Sequence, residues 1–373
     1  MYLLVFYCMK KILVWLSGGV DSAIAAYLLK EQWYEVVAGF MKNYVDEENP
    51  NCTTYKDANE AIKVANFLWI EILSFDLRKE YEEKIIKYIY DWYQKWITPN
   101  PDILCNNLIK FDVFLEKALE LGFDWIAMGH YARILPILNN NNSLISKSQT
   151  TNTPINKEVN FKLLRWVDYN KDQTYFLSGL NQYQLSKSLF PIWWMTKLQV
   201  RELAKKIWLP NFDRPDSQWL CFIWNVPMKN FLKKRLATKK GDIVLLDWTK
   251  VWEHEWAYFF TIWQSRGLDI NKKAYVIKTD IEKNLVYVSF DREEPNLVSK
   301  KIIVKDWHWI GQEYKLPLNC STKIRYRQEP KTCVMDIENW EIAFNYDENQ
   351  RWIAPWQSVV AYLWDECLWW GII

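Results

Sequence analysis

Hydrophobic and polar positions along the first two hundred residues follow two alternating spacings. Short, nearly continuous apolar runs predict buried parallel strands; they are "KILVWL" (11–16), "YEVVAGFM" (34–41) and "IEILSF" (70–75). Segments with an apolar residue every three or four positions predict helices between them; they include "SAIAAYLLKEQ" (22–32) and "YKDANEAIKVANFL" (55–68). Strands alternating with helices predict an α/β doubly wound parallel sheet in a domain of residues 1–215.

Two changes in composition mark further parts of the chain. The stretch at about 135–160 is polar and rich in Asn, Ser and Thr, which predicts an exposed insertion loop and favours disorder. Beyond about Asp216, short alternating runs separated by turn signals are typical of β-structure. We therefore expect a small β-rich central module at 216–280 and a C-terminal β-barrel at 281–373.

Tryptophan outnumbers glycine, which reverses their usual proportions. The chain has 24 Trp and 10 Gly, whereas average usage gives about 7% glycine. Trp33 and Trp69 stand where a helix ends and a strand begins, a place usually taken by glycine in the left-handed conformation. Trp248 and Trp340 follow Asp and Asn in expected hairpin turns, where glycine is again preferred. These positions support the hypothesis that one codon meaning glycine has been read as tryptophan.

A genuinely Trp-rich protein is the alternative to this hypothesis. Base composition alone would not concentrate tryptophan at turns, which favours the codon explanation. Trp125, Trp307 and Trp309 lie in settings that tolerate an aromatic ring, and we interpret them as true tryptophans.

Charge and cysteine content limit the classes of function. Lys and Arg number 47 and Asp and Glu 45, so the net charge of +2 gives no overall basic field, although a basic cluster lies at 233–240. The seven cysteines form no CxxC pair, which predicts reduced thiols and no structural metal. No apolar stretch has the length of a membrane span, the start lacks the features of a signal peptide, and Met9 is an alternative start. These features predict a cytoplasmic protein.

The segment "SGGVDS" (17–22) carries the first candidate chemistry. It lies between a buried strand and a helix, where glycine N–H groups and the helix N-terminus favour a phosphate. The serine hydroxyls can donate to phosphate oxygens, and the Asp21 carboxylate suits Mg²⁺. The segment lacks the Gly-Lys-Ser/Thr of a Walker loop, and a purely structural turn is the alternative. A bulky Trp15 just before this loop is best explained as one of the misread glycines.

Two cysteines stand in unusual contexts. In "TPNPDILCNNLIKF" (98–111) the prolines restrain a turn and Cys105 follows as helical spacing begins. A thiol near a helix N-terminus has a lowered pKa, so Cys105 is a candidate nucleophile. The second, Cys221, lies in "DRPDSQWLCFI" (213–223). Each cysteine taken alone could instead be an ordinary buried apolar residue.

These stretches, with "AMGHYAR", "DYNKDQTYFLSGL", "RYRQ" and "APWQSVVAY", resemble the bacterial tRNA-specific 2-thiouridylase family of the PP-loop ATP pyrophosphatases. The resemblance extends from about Met9 to Ile373. It implies an N-terminal domain of the adenine nucleotide alpha hydrolase-like fold. It also implies an ATP-dependent tRNA uridine 2-sulfurtransferase, which adenylates O2 of the wobble uridine and transfers persulfide sulfur to C2.

The resemblance assigns roles residue by residue. Cys105 would be the nucleophile, Cys221 the persulfide carrier, and Asp102 would shuttle a proton or polarise the base. The implied ATP-binding residues are Trp15, Leu16, Ser17, Gly18, Gly19, Val20, Asp21, Ser22, Met41 and Gly129. The implied tRNA-binding residues are Asn100, Pro101, Asp102, His130, Lys171, Asp172, Gln173, Arg325, Tyr326 and Gln357. The implied cofactors and partners are ATP with Mg²⁺, the tRNA anticodon loop, and a sulfur-donor protein (a cysteine desulfurase or a sulfur-relay protein) acting on a monomer.

Two other functions stay open on the residues alone. Another PP-loop enzyme could adenylate a small-molecule carbonyl, and Cys105 and Cys221 would then have no role. A catalytically impaired tRNA-binding protein would result if Trp15 and Trp219 are real, because an indole beside the phosphate loop blocks the approach of the backbone. The family pattern is broken mainly where tryptophan replaces glycine, at positions 15, 219, 224, 263 and 356. The segment around Cys221 is expected to fold over the ATP site and to become ordered when tRNA binds.

Overall fold

The computed structural model describes residues 9–45, 53–95, 100–138, 159–169, 171–216, 228–351 and 353–373. Cys221, Trp219 and Trp224 lie outside these ranges, and so does the expected movement of the Cys221 segment. Within the described ranges, no helix has the length and apolar character needed to cross a membrane.

The strands alternate with helices in the N-terminal half and dominate the C-terminal half. The strands are β1 (Lys11–Trp15), β2 (Glu35–Lys42), β3 (Ile72–Asp76), β4 (Trp125–Ala127), β5 (Arg133–Leu138), β6 (Val159–Leu164), β7 (Ser188–Leu189), β8 (Gly241–Val244), β9 (Lys250–His254), β10 (Tyr275–Asp280), β11 (Leu285–Ser289), β12 (Ser299–Trp309), β13 (Leu318–Lys323), β14 (Lys331–Glu338), β15 (Glu341–Gln350), β16 (Ser358–Leu363) and β17 (Glu366–Ile372). The α-helices are α1 (Val20–Glu31), α2 (Thr54–Leu68), α3 (Arg78–Tyr81), α4 (Lys87–Gln94), α5 (Pro101–Cys105), α6 (Phe114–Glu120), α7 (Thr174–Leu177), α8 (Gln182–Ser186), α9 (Lys197–Lys206) and α10 (Met228–Lys233). Two π-helical segments join α3 to α4 (Glu82–Ile86) and α5 to α6 (Asn106–Val113), and two short 3-10 helices are Ala257–Phe259 and Pro295–Leu297.

The N-terminal domain is built on a five-stranded parallel sheet in the order β3-β2-β1-β4-β7. The central position of β1 explains its unbroken apolar sequence, because Ile12, Leu13 and Val14 are all fully buried. Leu13 faces one hydrophobic core, whereas Ile12 and Val14 face the other. The sheet therefore separates two cores, and the predicted doubly wound α/β architecture is confirmed.

The polar insertion begins and ends differently from the prediction. An exposed loop was expected at about 135–160, but its flanks form the antiparallel hairpin of β5 and β6. β6 in turn pairs with β17, with Leu163 opposite Cys367. The prediction of a loop is wrong at these flanks because β17, which pairs with β6, lies two hundred residues further along the chain. Residues 139–158 lie outside the described ranges.

The C-terminal half contains two separate β-sheets. The central module is a four-stranded sheet in the order β10-β11-β8-β9. Its hairpin of β10 and β11 crosses residue 280, the boundary that the sequence suggested, because Asp280 pairs with Leu285 across the turn. The last six strands run in the order β12-β15-β14-β13-β16-β17, and pairing of β12 with β17 closes them into the predicted barrel.

Eight tryptophans have left-handed backbone, with φ between 54° and 74°. They are Trp33, Trp69, Trp208, Trp248, Trp263, Trp340, Trp356 and Trp364. The four turn positions singled out for their glycine-like setting all belong to this group, so the expected backbone conformation is confirmed there. Trp69 ends α2 in this conformation, and its N–H contacts the carbonyls of Ala65 and Asn66. A side chain in this region costs about 1–2 kcal/mol per residue because its Cβ crowds the following carbonyl oxygen.

We expect W33G and W69G to stabilise the chain. Both indoles are more than four-fifths exposed, so their loss removes little packing, while the relief of backbone strain raises the free energy of unfolding by about 1 kcal/mol each. The thermal unfolding midpoint of the full chain measures the effect. W125G is the matched control: Trp125 lies in β4 and pairs with Ile12, so this change should lower the midpoint. A drop in the midpoint for W33G and W69G as well would contradict the prediction.

Candidate nucleotide and RNA site

The SGGVDS segment forms a tight loop between the carboxyl end of β1 and the first turn of α1. The Ser22 hydroxyl donates to the Gly19 carbonyl at 3.0 Å and accepts from the Ser17 N–H at 3.2 Å. Gly18 has φ +78°, and a Cβ there would stand 2.7 Å from the Asp57 carbonyl oxygen. The loop therefore requires glycine at this position and leaves the helix N-terminus open toward an anion.

The other predicted ATP residues surround this loop. Gly129, just beyond β4, lies so close to α1 that a Cβ would meet the Ser22 nitrogen at 2.6 Å. Met41 is buried in β2, two residues past the point where Gly39 pairs with Trp15. All ten predicted ATP residues thus lie at or beside the carboxyl edge of the sheet, the usual place for a ligand in open α/β folds.

Trp15 occupies this edge with a large side chain. It is the last residue of β1, and the Lys110 Nζ lies 4.6 Å from the centroid of its ring. The Trp15 ring therefore lies beside the π-helical segment that contains Lys110, and residue 15 itself stands two positions before the phosphate loop begins at Ser17.

The Asp21 carboxylate is the anionic group of the loop. Its Oδ1 accepts hydrogen bonds from the Tyr131 hydroxyl and the Lys197 ammonium, both at 2.6 Å. Burial and the neighbouring Asp21 charge both raise the pKa of Tyr131, so the phenol keeps its proton. Tyr131 and Lys197 were not identified from the sequence, because each is separated from Asp21 by more than a hundred residues.

Asp216 is the second carboxylate beside the loop. Its oxygens accept from Lys197 at 2.7 Å, Arg201 at 2.5 Å and Lys171 at 2.9 Å. Burial acts to raise the pKa of Asp216, but the hydrogen bonds from Lys197, Lys171 and Arg201 prevail and lower it. Lys171, a predicted tRNA residue, is therefore held in an ion pair beside the phosphate loop.

The chain before Asp216 is tied directly to the loop. The Gly18 carbonyl accepts from the Asn211 amide at 2.6 Å and from the Arg214 guanidinium at 3.1 Å. Arg214 also pairs with Asp57. These contacts fix the start of the segment that continues toward Cys221.

Cys105 lies at the end of α5, which continues into the π-helical segment and α6. Pro101 begins the helix, and the Asn106 amide donates to the Asp102 carbonyl at 2.9 Å. The Cys105 thiol is buried, with 1% of the residue exposed.

Tyr175 on α7 lies where segments that carry several of the predicted tRNA residues meet. It is not among the residues predicted from the sequence. Its hydroxyl lies 3.0 Å from the Ser358 carbonyl and 3.3 Å from the Ile324 carbonyl. Ser358 directly follows Gln357 and Ile324 directly precedes Arg325, so both barrel loops meet at this phenol. A hydrogen bond from Asn100 reaches the same hydroxyl, although burial dominates and raises the pKa of Tyr175.

The remaining predicted tRNA residues differ in exposure. Tyr326 packs on the Phe176 ring with centroids 4.4 Å apart. His130 is buried between aromatic rings, and its pKa is lowered, first by burial and then by the Lys110 charge, which leaves the imidazole neutral. Asp172 is also buried, and the Gln173 side chain accepts from the Tyr131 N–H at 2.9 Å. His130, Asp172 and Gln173 thus shape the site from inside the protein.

A parallel sheet with the SGGVDS loop and a helix N-terminus at its carboxyl edge, and without the Gly-Lys-Ser/Thr of a Walker loop, is typical of the PP-loop class of α/β proteins. Three family models match this chain: "tRNA methyl transferase HUP domain" at residues 10–225, "tRNA methyl transferase PRC-barrel domain" at 229–290 and "Aminomethyltransferase beta-barrel domain" at 299–373. The chain is 38% identical over 370 residues to the tRNA-specific 2-thiouridylase MnmA of Bacillus subtilis, covering 97% of this chain and 94% of that protein. It is 35% identical over 410 residues to the protein of the same name from Flavobacterium johnsoniae, covering 98% of this chain and all of that protein. The chain belongs to the tRNA-specific 2-thiouridylase family.

We expect D172N to destabilise the protein rather than to weaken RNA contacts alone. Asp172 accepts from the Thr174 hydroxyl at 2.9 Å and the Arg165 guanidinium at 3.3 Å inside the protein. Loss of a buried partner of this kind costs about 3–5 kcal/mol, so the thermal midpoint should fall by several degrees. D213N, at an exposed aspartate on the same domain, is the control and should leave the midpoint unchanged. An unchanged midpoint for D172N with weakened tRNA binding would instead indicate a direct RNA contact.

Proposed function

We propose that this protein is an ATP-dependent tRNA uridine 2-sulfurtransferase that acts on the wobble uridine of the anticodon. The observation that carries the proposal is the Tyr175 hydroxyl, where the turn before Cys105 meets both barrel loops, on the same domain as the phosphate loop. Support also comes from relatives named as tRNA-specific 2-thiouridylases over almost the entire chain. The protein works as a monomer in the cytoplasm and receives sulfur from a cysteine desulfurase or a sulfur-relay protein.

The proposed reaction needs activation because the oxygen on C2 of uracil is a poor leaving group. Attack of O2 on the α-phosphorus of ATP forms the adenylated base and releases pyrophosphate, whose charge the loop N–H groups offset. The terminal sulfur of a Cys221 persulfide then attacks C2, and AMP leaves with the former O2. Attack of the Cys105 thiolate on the Cys221 sulfur completes the transfer and leaves a Cys105–Cys221 disulfide; alternatively, Cys105 first reduces the persulfide and frees sulfide near the base. In both routes an external thiol restores the two cysteines.

Asp21 is the residue suited to Mg²⁺. Mg²⁺ is usually held by one or two carboxylates together with substrate phosphates, and Asp21 is the carboxylate of the phosphate loop itself. Its present partners, a phenol and an ammonium group, can both be exchanged without leaving an unpaired buried charge. When bound, the ion would offset charge on the pyrophosphate.

We expect C105S and C221S each to abolish 2-thiouridine formation while ATP-dependent adenylation continues. The phosphate loop is untouched by either change, so tRNA-dependent pyrophosphate release should stay within a few-fold of the parent. Nucleoside mass spectrometry of the tRNA and a pyrophosphate assay measure the two steps separately. C8S, a thiol outside both motifs, is the control. Thiolation that survives both changes would contradict the roles proposed for Cys105 and Cys221. Pyrophosphate release that needs neither cysteine and no tRNA would support instead a PP-loop enzyme acting on a small-molecule carbonyl.

We infer further that the protein made in its own cell carries glycine at the turn tryptophans and at position 15. Eight left-handed tryptophans would together cost about 8–16 kcal/mol, which is as large as the total stability of an ordinary domain. Glycine at these eight positions removes that cost, and glycine at residue 15 takes an indole away from the carboxyl edge of the sheet.

Peptide mass spectrometry on protein from the native source tests this inference. We expect glycine at positions 15, 33 and 69, and tryptophan at position 125. Tryptophan at positions 15 and 33 would contradict the inference. It would also favour the catalytically impaired tRNA-binding protein, which binds tRNA without thiolating it.

A further inference from the structure

Lys197 lies between the phosphate loop and a second carboxylate. It is the first residue of α9, whose start is fixed by a capping box between Thr196 and Gln199. Its ammonium stands 2.6 Å from Asp21 and 2.7 Å from Asp216. The Lys197 side chain is only 16% exposed. Since Asp21 belongs to the loop, the ammonium is positioned at the edge of the proposed nucleotide site.

The charges around Lys197 allow it to change partner. Asp216 keeps Lys171 and Arg201 when Lys197 turns away, so that carboxylate remains paired. Asp21 keeps its hydrogen bond from Tyr131 and suits Mg²⁺. Asp216 is therefore not left uncompensated, and the Asp21 side chain is partly exposed to solvent, so the release of the Lys197–Asp21 pair avoids the cost of a fully buried unpaired charge.

A phosphate group is the chemistry that matches this ammonium. Without a cation beside it, the Asp21 carboxylate would repel an incoming polyphosphate at this short range. A lysine ammonium is a compact charge with three donors, so it can hold Asp216 and a phosphate oxygen together.

We propose that Lys197 is a ligand of the pyrophosphate portion of ATP and exchanges Asp21 for phosphate when the nucleotide binds. Its link to Asp216, five positions before Cys221, connects the occupied loop to the start of the Cys221 segment. The proposal rests on ATP being the substrate of the proposed function, but it concerns binding and not sulfur transfer.

Titration calorimetry on the full chain carrying W15G tests the proposal, with Mg²⁺ present and tRNA absent. We expect K197M to weaken binding of ATP and of inorganic pyrophosphate at least tenfold, and to leave AMP binding within threefold. K206M removes the same charge from the exposed end of the same helix and should leave all three affinities within threefold. Retained AMP binding shows that K197M is folded.

Three results would overturn the proposal: ATP affinity unchanged in K197M, an equal loss in K206M, or an equal loss of AMP binding, which indicates a structural role. Absence of ATP binding by the W15G parent would overturn it as well. A tRNA thiolation assay on the same parent separates the two hypotheses. Lys197-dependent ATP binding without thiolation would keep this proposal and reject the proposed sulfurtransferase.

Discussion

The buried carboxylate of Asp172 is the charged contact at the centre of the junction between the N-terminal domain and the barrel, beside the pairing of β6 with β17. On the side of the N-terminal domain, it accepts from the backbone N–H of Trp166 at 3.2 Å, the Arg165 guanidinium and the Thr174 hydroxyl. On the barrel side it faces the Lys323 ammonium at 3.8 Å, at the end of β13. Burial lowers the pKa of Lys323, and the Asp172 charge opposes that effect. One buried carboxylate thus faces a cation on each side of the junction, and its removal would leave both cations without their nearest buried partner.

The position of α7 follows from this carboxylate. Thr174 is the first residue of α7, and its hydroxyl also lies 3.3 Å from the Tyr362 hydroxyl of the barrel. The next residue, Tyr175, is thereby directed to the two barrel loops and to Asn100. The turn before Cys105 and the barrel loops at Arg325 and Gln357 come from distant parts of the sequence, yet a few buried polar contacts set their separation. Buried hydrogen bonds thus fix the inner side of the candidate site.

The sequence predicted the fold class, the phosphate loop and four left-handed turn positions because each depends on neighbouring residues. The spacing of apolar residues identified β1 and α1, and the ends of helices identified Trp33 and Trp69. The partners of Asp21 and Asp216 could not be found in this way, since Lys197 is paired by tertiary contacts alone. The polar sequence at the flanks of the insertion predicts a loop, whereas the structure has strands there because β6 pairs with both β5 and the distant β17. Trp208, at the end of α9, carried the same helix-end signal and was overlooked.

The positions of glycine and tryptophan fall into three groups, which differ in the physical reason why glycine is favoured there. At Gly18 and Gly129 no side chain fits, because backbone atoms stand within 2.7 Å of where a Cβ would be. At Trp69 and Trp340 the space is open, with about nine-tenths of each residue exposed, and the only obstacle is the backbone conformation. An indole at such an exposed turn can point into solvent, so the fold accepts either glycine or tryptophan. The two residues differ there only in backbone strain. Position 15 is of a third kind, because it ends a β-strand, where an indole has no left-handed strain, and its ring lies against Lys110 two residues before the phosphate loop. The identity of residue 15 therefore changes the surroundings of the loop, whereas the identity of the tip residues bears on stability.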